Sequence, residues 1–86
     1  MRTLAEVRAD FDDTDGLLLA LVQRRLVLAR EAGVIKRAVG LPVQDPEREA
    51  AGREHRRAWC GAAGVDVDVV DRLFAVLIEA SRAAQR

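Results

Sequence analysis

One apolar seam constrains this chain more than any other feature. From about Thr3 to Val39, apolar or small residues recur at Leu4, Val7, Phe11, Thr14, Leu18, Leu21, Leu28, Ala32, Ile35 and Val39. The steps alternate between three and four, which marks a single helical face close to a coiled-coil repeat. Gly16 and Gly33 lie inside it, and each costs about 1 kcal/mol relative to Ala. The seam keeps its phase across both, so one continuous helix is expected, about 55 Å long at 1.5 Å per residue. The whole chain has 86 residues, and a compact monomer of that size has a radius of gyration of about 12 Å. The residues outside the helix cannot cover the seam from end to end. Packing of long helices from two copies is the simplest way to bury it, so the sequence predicts a homodimer.

The remaining chain reads as two shorter helices. Breaks fall at Gly40-Leu41-Pro42 and between Gly61 and Gly64. Asp45-Pro46-Glu47-Arg48-Glu49 combines an N-cap acid, a proline at the first helical position and acids in the first turn, three agreeing start signals. The second helix is expected over 46–60, stopping at Gly61. Asp66 caps a third, expected over 67–85, with Val70, Leu73, Phe74, Leu77 and Ile78 on its apolar face. Strand formers are scarce and no period-two alternation is sustained. The fold class is therefore all-α, a single domain over 1–86.

Composition removes most function classes. Acids and bases balance at 14 each, against the surplus of basic groups that a nucleic-acid footprint requires. The chain holds one His and one Cys, too few for a structural zinc site or a disulfide framework. A lone serine, Ser81, beside His55 leaves almost no material for a hydrolase triad. No apolar run approaches the roughly 18 residues of a membrane span, and the N-terminus does not read as a signal peptide. A cytoplasmic location is expected. The basic residues are thirteen arginines and one lysine, Lys36.

The anomaly on the seam is Arg25, between Leu21 and Leu28, where leucine would fit better. Arg25, Ala29, Ala32 and Lys36 follow at steps of four, three and four, so two cations share one face with small residues between them. Their backbones are about 16 Å apart, within reach of one small anion given two long side chains. Arg8 shares that face but lies about 25 Å from Arg25 along the axis. It can approach the pair only from the partner of an antiparallel dimer. On the third helix the apolar stripe continues into Ser81 and Gln85, polar groups on the core-facing side. The plain reading of these two is a solvated C-terminus; that of Asp45, Arg48 and Glu49 is capping chemistry. Together the residues describe a pocket of cations and neutral hydrogen-bonding groups, without a nucleophile or metal. His55, Trp59 and Cys60 are read as structural.

The pattern as a whole resembles the all-helical chorismate mutases. It is carried by Leu4, Arg8, Asp12, Asp15, Leu18, Arg25, Leu28, Ala29, Gly33 and Lys36 in the first segment, and by Leu41, Pro42, Asp45, Pro46, Arg48 and Glu49 in the second. Val70, Leu73, Phe74, Ile78, Glu79, Ser81 and Gln85 complete it. The resemblance implies an intertwined homodimer of three-helix chains that isomerises chorismate to prephenate by a [3,3] rearrangement, on the route to aromatic amino acids, with no cofactor. It implies that Arg25, and Arg8 of the partner chain, hold the two carboxylates of this dicarboxylate substrate. Arg48 supports that cluster, and Ser81 hydrogen-bonds a carboxylate. Lys36 and Gln85 donate to the ether oxygen, and Asp45 and Glu49 face the ring hydroxyl. Because Gln85 is neutral, activity should not require acid pH. The leucine-poor stretch from Ala50 to Cys60 departs from the family and points to a loosely packed second helix. Some similar small members are activated by an enzyme of the shikimate pathway, so such a partner is a further expectation.

Two relatives on the same scaffold are rivals. One rearranges 4-amino-4-deoxychorismate, whose ring ammonium Asp45 and Glu49 would attract. The other eliminates pyruvate from isochorismate, and the intact Asp45–Glu49 segment weighs against it. A non-catalytic helical dimerisation or regulatory module is the third rival, opposed by the complete set of pocket residues.

Overall fold

The computed structural model describes all residues, 1–86, and contains three helices: α1 (Leu4–Val39), α2 (Pro46–Ala63) and α3 (Val67–Gln85). The long first helix is continuous through Gly16 and Gly33, as its unbroken seam requires. Thr3 caps its start by accepting from the Glu6 amide at 3.1 Å. Its end is set by Gly40 at φ 76°, whose N–H and that of Leu41 both return to the Lys36 carbonyl. A left-handed residue closing the last carbonyls in this way favours glycine.

The start of α2 is as read from the sequence: the Asp45 carboxylate accepts from the Arg48 amide at 3.1 Å, with Pro46 in the first turn. Its end is not. The helix passes through Gly61 and stops at Ala63, three residues beyond the expected boundary. The reason is conformational. Gly64 holds φ 70° and, with Val65, bonds the Cys60 carbonyl, so it is the cap, whereas Gly61 keeps a negative φ. In α3, Asp66 caps by accepting from the Asp68 amide at 2.8 Å.

The helices pack in one register. Arg25 meets Phe74 and Lys36 meets Gln85, the same offset of 49 residues, so α3 runs parallel to the C-terminal half of α1. Glu49 meets Arg82 and Arg56 meets Phe74, so α2 runs back antiparallel along α3. α2 packs on α3 and makes no comparable contact with α1. At that register, α3 begins level with about position 18 of α1, and nothing accompanies the helix before it.

The result is elongated. The radius of gyration is 16.4 Å and the long dimension 57 Å, against about 12 Å for a compact chain of this length. Three residues are buried, Ala29, Gly33 and Cys60. Phe11, Leu18 and Leu21 remain more than half exposed. So does Ile35, on the part of the seam that α3 does not cover. No helix is long and apolar enough to cross a membrane.

Candidate functional site

The chemistry-bearing residues gather where the C-terminal half of α1 lies against α3. The Lys36 ammonium donates to the Gln85 side-chain oxygen at 2.6 Å and to the Val43 carbonyl, in the α1–α2 loop, at 2.9 Å. Bonds to a charged donor at such distances are at the strong end of the range. Two of the three ammonium hydrogens are thereby occupied, and the third is left for another acceptor. With its oxygen turned to Lys36, Gln85 presents its NH₂ as a second donor. The pair juxtaposes two donors that lie 49 residues apart in the chain.

Gly33 makes this contact possible. A Cβ built there would lie 2.6 Å from the Gln85 carbonyl oxygen and 2.8 Å from its Cα. Only glycine lets the end of α3 settle against α1 one turn before Lys36. Arg37 adds a bond to the Gln85 carbonyl at 2.6 Å. Sequence reasoning treats Gly33 as a helix defect. Its task as a point of close approach becomes visible only with its neighbour in place, although a glycine inside a helical pattern is a general sign of such crowding.

Arg25 is half-buried, and its guanidinium carbon lies 5.4 Å from the centroid of the Phe74 ring. Arg56, from α2, approaches the same ring at 4.5 Å. Each rests on an aromatic face in cation–π contact, neither forms an ion pair, and the Nε of each is buried without a hydrogen-bond partner. Two guanidiniums drawn to one ring with no carboxylate between them form a centre prepared for an anion. Arg56 is absent from the residues singled out by sequence. The signal was available, since Arg48, Gly52 and Arg56 follow at steps of four on one helical face. Its guanidinium folds back over Gly52, where a Cβ would meet it at 3.0 Å.

The other expected residues divide. Ser81 is half-buried on α3, on the side of Gln85, and makes no side-chain hydrogen bond within the chain. Asp45 and Arg48 are exposed at the start of α2, Asp45 engaged as the cap. Glu49 is held by Arg82: Nη2 donates to both carboxylate oxygens at 2.7 and 2.8 Å, and Nε to one of them at 3.2 Å. The Glu49 hydrogen bond raises the Arg82 pKa above its ordinary value, against partial desolvation. Arg82 is a second residue that sequence reasoning passed over. Its partner is 33 residues away on another helix, and no local spacing points to it. Arg8 stands apart, exposed near the start of α1, before the stretch that α3 accompanies.

A family described as chorismate mutase type II matches residues 7–86. Among curated relatives, a chorismate mutase of Methanocaldococcus jannaschii is 36% identical over 83 residues, which span 96% of this chain and 84% of that protein. The T-protein of Haemophilus influenzae is 35% identical over 71 residues, 83% of this chain and 19% of its own length. The T-protein of Enterobacter agglomerans is 40% identical over 68 residues, 79% of this chain and 18% of its own. This chain thus corresponds to about a fifth of each T-protein but to most of the archaeal enzyme. Matched over nearly its whole length, with its unpaired cations and its Lys36–Gln85 pair on one packed face, the chain belongs to the chorismate mutase type II family.

Proposed function

We propose that this chain is an isomerase that converts chorismate to prephenate, working as an intertwined homodimer. The observation that carries the reading is the Lys36–Gln85 pair, 2.6 Å apart, on the same side of α1 as the unpaired guanidinium of Arg25. In the rearrangement the ether C–O bond breaks while a C–C bond forms between the ends of the same molecule. No proton or electron is exchanged with the protein, and negative charge grows on the ether oxygen. Lys36 and Gln85 donate to that oxygen, a preorganised electrostatic contribution realised mainly in the transition state. Arg25 and the partner's Arg8 hold the carboxylates, Ser81 adds a hydrogen bond, and Arg48 supports the cluster from α2. Clamping both carboxylates favours the folded conformer from which the bond can form. Asp45 and Glu49 face the ring substituent.

The homodimer follows from the exposed seam. Phe11, Leu18 and Leu21 form an apolar strip on the face of α1 that α3 leaves open, each more than half exposed, and single exposed leucines are ordinary whereas a strip of this length is not. Antiparallel pairing would cover it and bring Arg8 to the other chain's site. The open packing of α2 keeps an activating protein partner within the proposal. The 4-amino-4-deoxychorismate reading is favoured by the acids Asp45 and Glu49 alone. The test is direct: purified protein should consume chorismate and release prephenate in one-to-one yield. Complete inertness toward chorismate, with the helical spectrum intact, would refute the assignment.

A further inference from the structure

The fork of Arg82 on Glu49 bears on which ring substituent the site accepts. An isolated carboxylate at half-buried depth attracts any cation brought beside it and gives a neutral hydroxyl only a hydrogen bond. Glu49 is not isolated. Arg82 satisfies it with three hydrogen bonds between 2.7 and 3.2 Å, a fork geometry that fixes orientation as well as charge. A carboxylate offers about four acceptor positions, so one is left over. The Glu49–Arg82 pair also faces a cleft between α2 and α3 whose other charged groups are Arg53, Arg56 and Asp71. That cleft holds three guanidiniums against two carboxylates, a setting hostile to a further cation.

We propose that Arg82 is a positioning residue that makes Glu49 select a neutral hydroxyl over an ammonium on the substrate ring. The proposal rests on the reading that the site takes a chorismate-type diacid, and it names the member of that class. Glu49 keeps one acceptor position aimed and free for a hydroxyl proton, while its charge is already spent on Arg82. An ammonium arriving there meets a carboxylate already engaged by Arg82, whose other side-chain contact, Glu79 at 3.6 Å, is mostly exposed to water. Arg53 and Arg56 line the same cleft, and the ammonium's lost hydration is poorly compensated. Rejection of this kind, by charge already paired in place, discriminates more sharply than shape does.

The experiment compares kcat/KM for chorismate and for 4-amino-4-deoxychorismate in the full-length protein and its variants. Wild type should prefer chorismate. Arg82→Gln unpairs the Glu49 carboxylate and should shift the ratio toward the amino compound by about tenfold or more, while Arg82→Lys, which keeps the charge but not the fork, should fall between. Glu49→Gln leaves the guanidinium unpaired and should move the ratio the opposite way, which keeps the test alive if Arg82→Gln does not fold. Equal loss toward both substrates in every variant would make the pair a structural tie and overturn the inference alone. A wild type inert toward both compounds would overturn the functional reading and this inference with it.

Discussion

The two halves of α1 are written in the same apolar alphabet and meet opposite surroundings. In the C-terminal half, Ala29 and Gly33 are buried, and Arg25, Ala32 and Lys36 are half-buried against α3. In the N-terminal half, Leu17, Leu18 and Leu19 stand 68%, 51% and 72% exposed, and Arg8 points at nothing in its own chain. The small residues explain the difference. Ala29, Ala32 and Gly33 allow close approach and leave room beside two cations, which suits the proposed site. The leucines project bulk without a hollow, which suits the interface proposed above. In the homodimer proposed above, one half is finished within a single chain and the other is completed by a second copy, so substitutions in the two halves should act differently.

The largest effect is expected in the finished half. Lys36→Ala removes the charged donor and the group that orients Gln85, and should lower kcat on the order of 10³-fold, with the helical content unchanged. A variant as fast as wild type would remove Lys36, and the mechanism built on it, from the site.

The unfinished half is tested by complementation. Arg8→Ala alone should cost about 10²-fold if it holds a substrate carboxylate. Mixed and refolded with Lys36→Ala, it should recover about a quarter of the wild-type activity, because half the dimers are mixed and one of their two sites is intact. A mixture no more active than the sum of its parts would place Arg8 outside the site, as would a protein that light scattering finds monomeric at micromolar concentration.

An effect of similar size to that at Arg8, with a pH signature, is expected at Gln85. In Gln85→Glu the Lys36 ammonium favours the ionised carboxylate, which cannot donate to an oxygen gaining negative charge. Activity at pH 8 should fall about 10²-fold and rise again as the pH drops through the carboxyl pKa, where the protonated acid donates once more. Wild type has no titrating group at this position and should show no acid limb. A pH–rate profile of the two proteins decides it, and parallel profiles would sever Gln85 from the ether oxygen.

These tests touch residues of differing legibility. The seam, the caps Thr3, Asp45 and Asp66, and the shared face of Arg25 and Lys36 could be read directly, because helix periodicity and capping are local properties. The end of α2 could not: Gly61 and Gly64 look alike in sequence, and only the left-handed turn at Gly64 distinguishes the cap. Arg82 and Arg56 were hidden for a different reason. Their partners, Glu49 and Phe74, lie on other helices, and an arginine on a helical face reads as solvated until packing shows what it faces. Lys36 stood out because it is the sole lysine, yet its contact with Gln85 depends on the register of two helices whose offset no local pattern states.

Gly33→Ala probes that register, and its sign depends on two opposing terms. Alanine favours the helix by about 1 kcal/mol over glycine. Against this, the new methyl would sit 2.6 Å from the Gln85 carbonyl oxygen and 2.8 Å from its Cα, backbone atoms that cannot swing aside as a side chain does. Overpacking of this kind costs roughly 1–3 kcal/mol, so the steric term should win by a small margin and lower stability by about 1 kcal/mol, measured by denaturant at equal protein concentration so that the proposed dimerisation contributes equally. The retreat of α3 also draws Gln85 away from Lys36, so kcat should fall about tenfold while the affinity for substrate changes less. At Gly16, where a Cβ meets nothing within 4 Å, the same substitution should gain the propensity term. A Gly33→Ala protein as stable and as fast as Gly16→Ala would show that the two helices do not close on each other at this point.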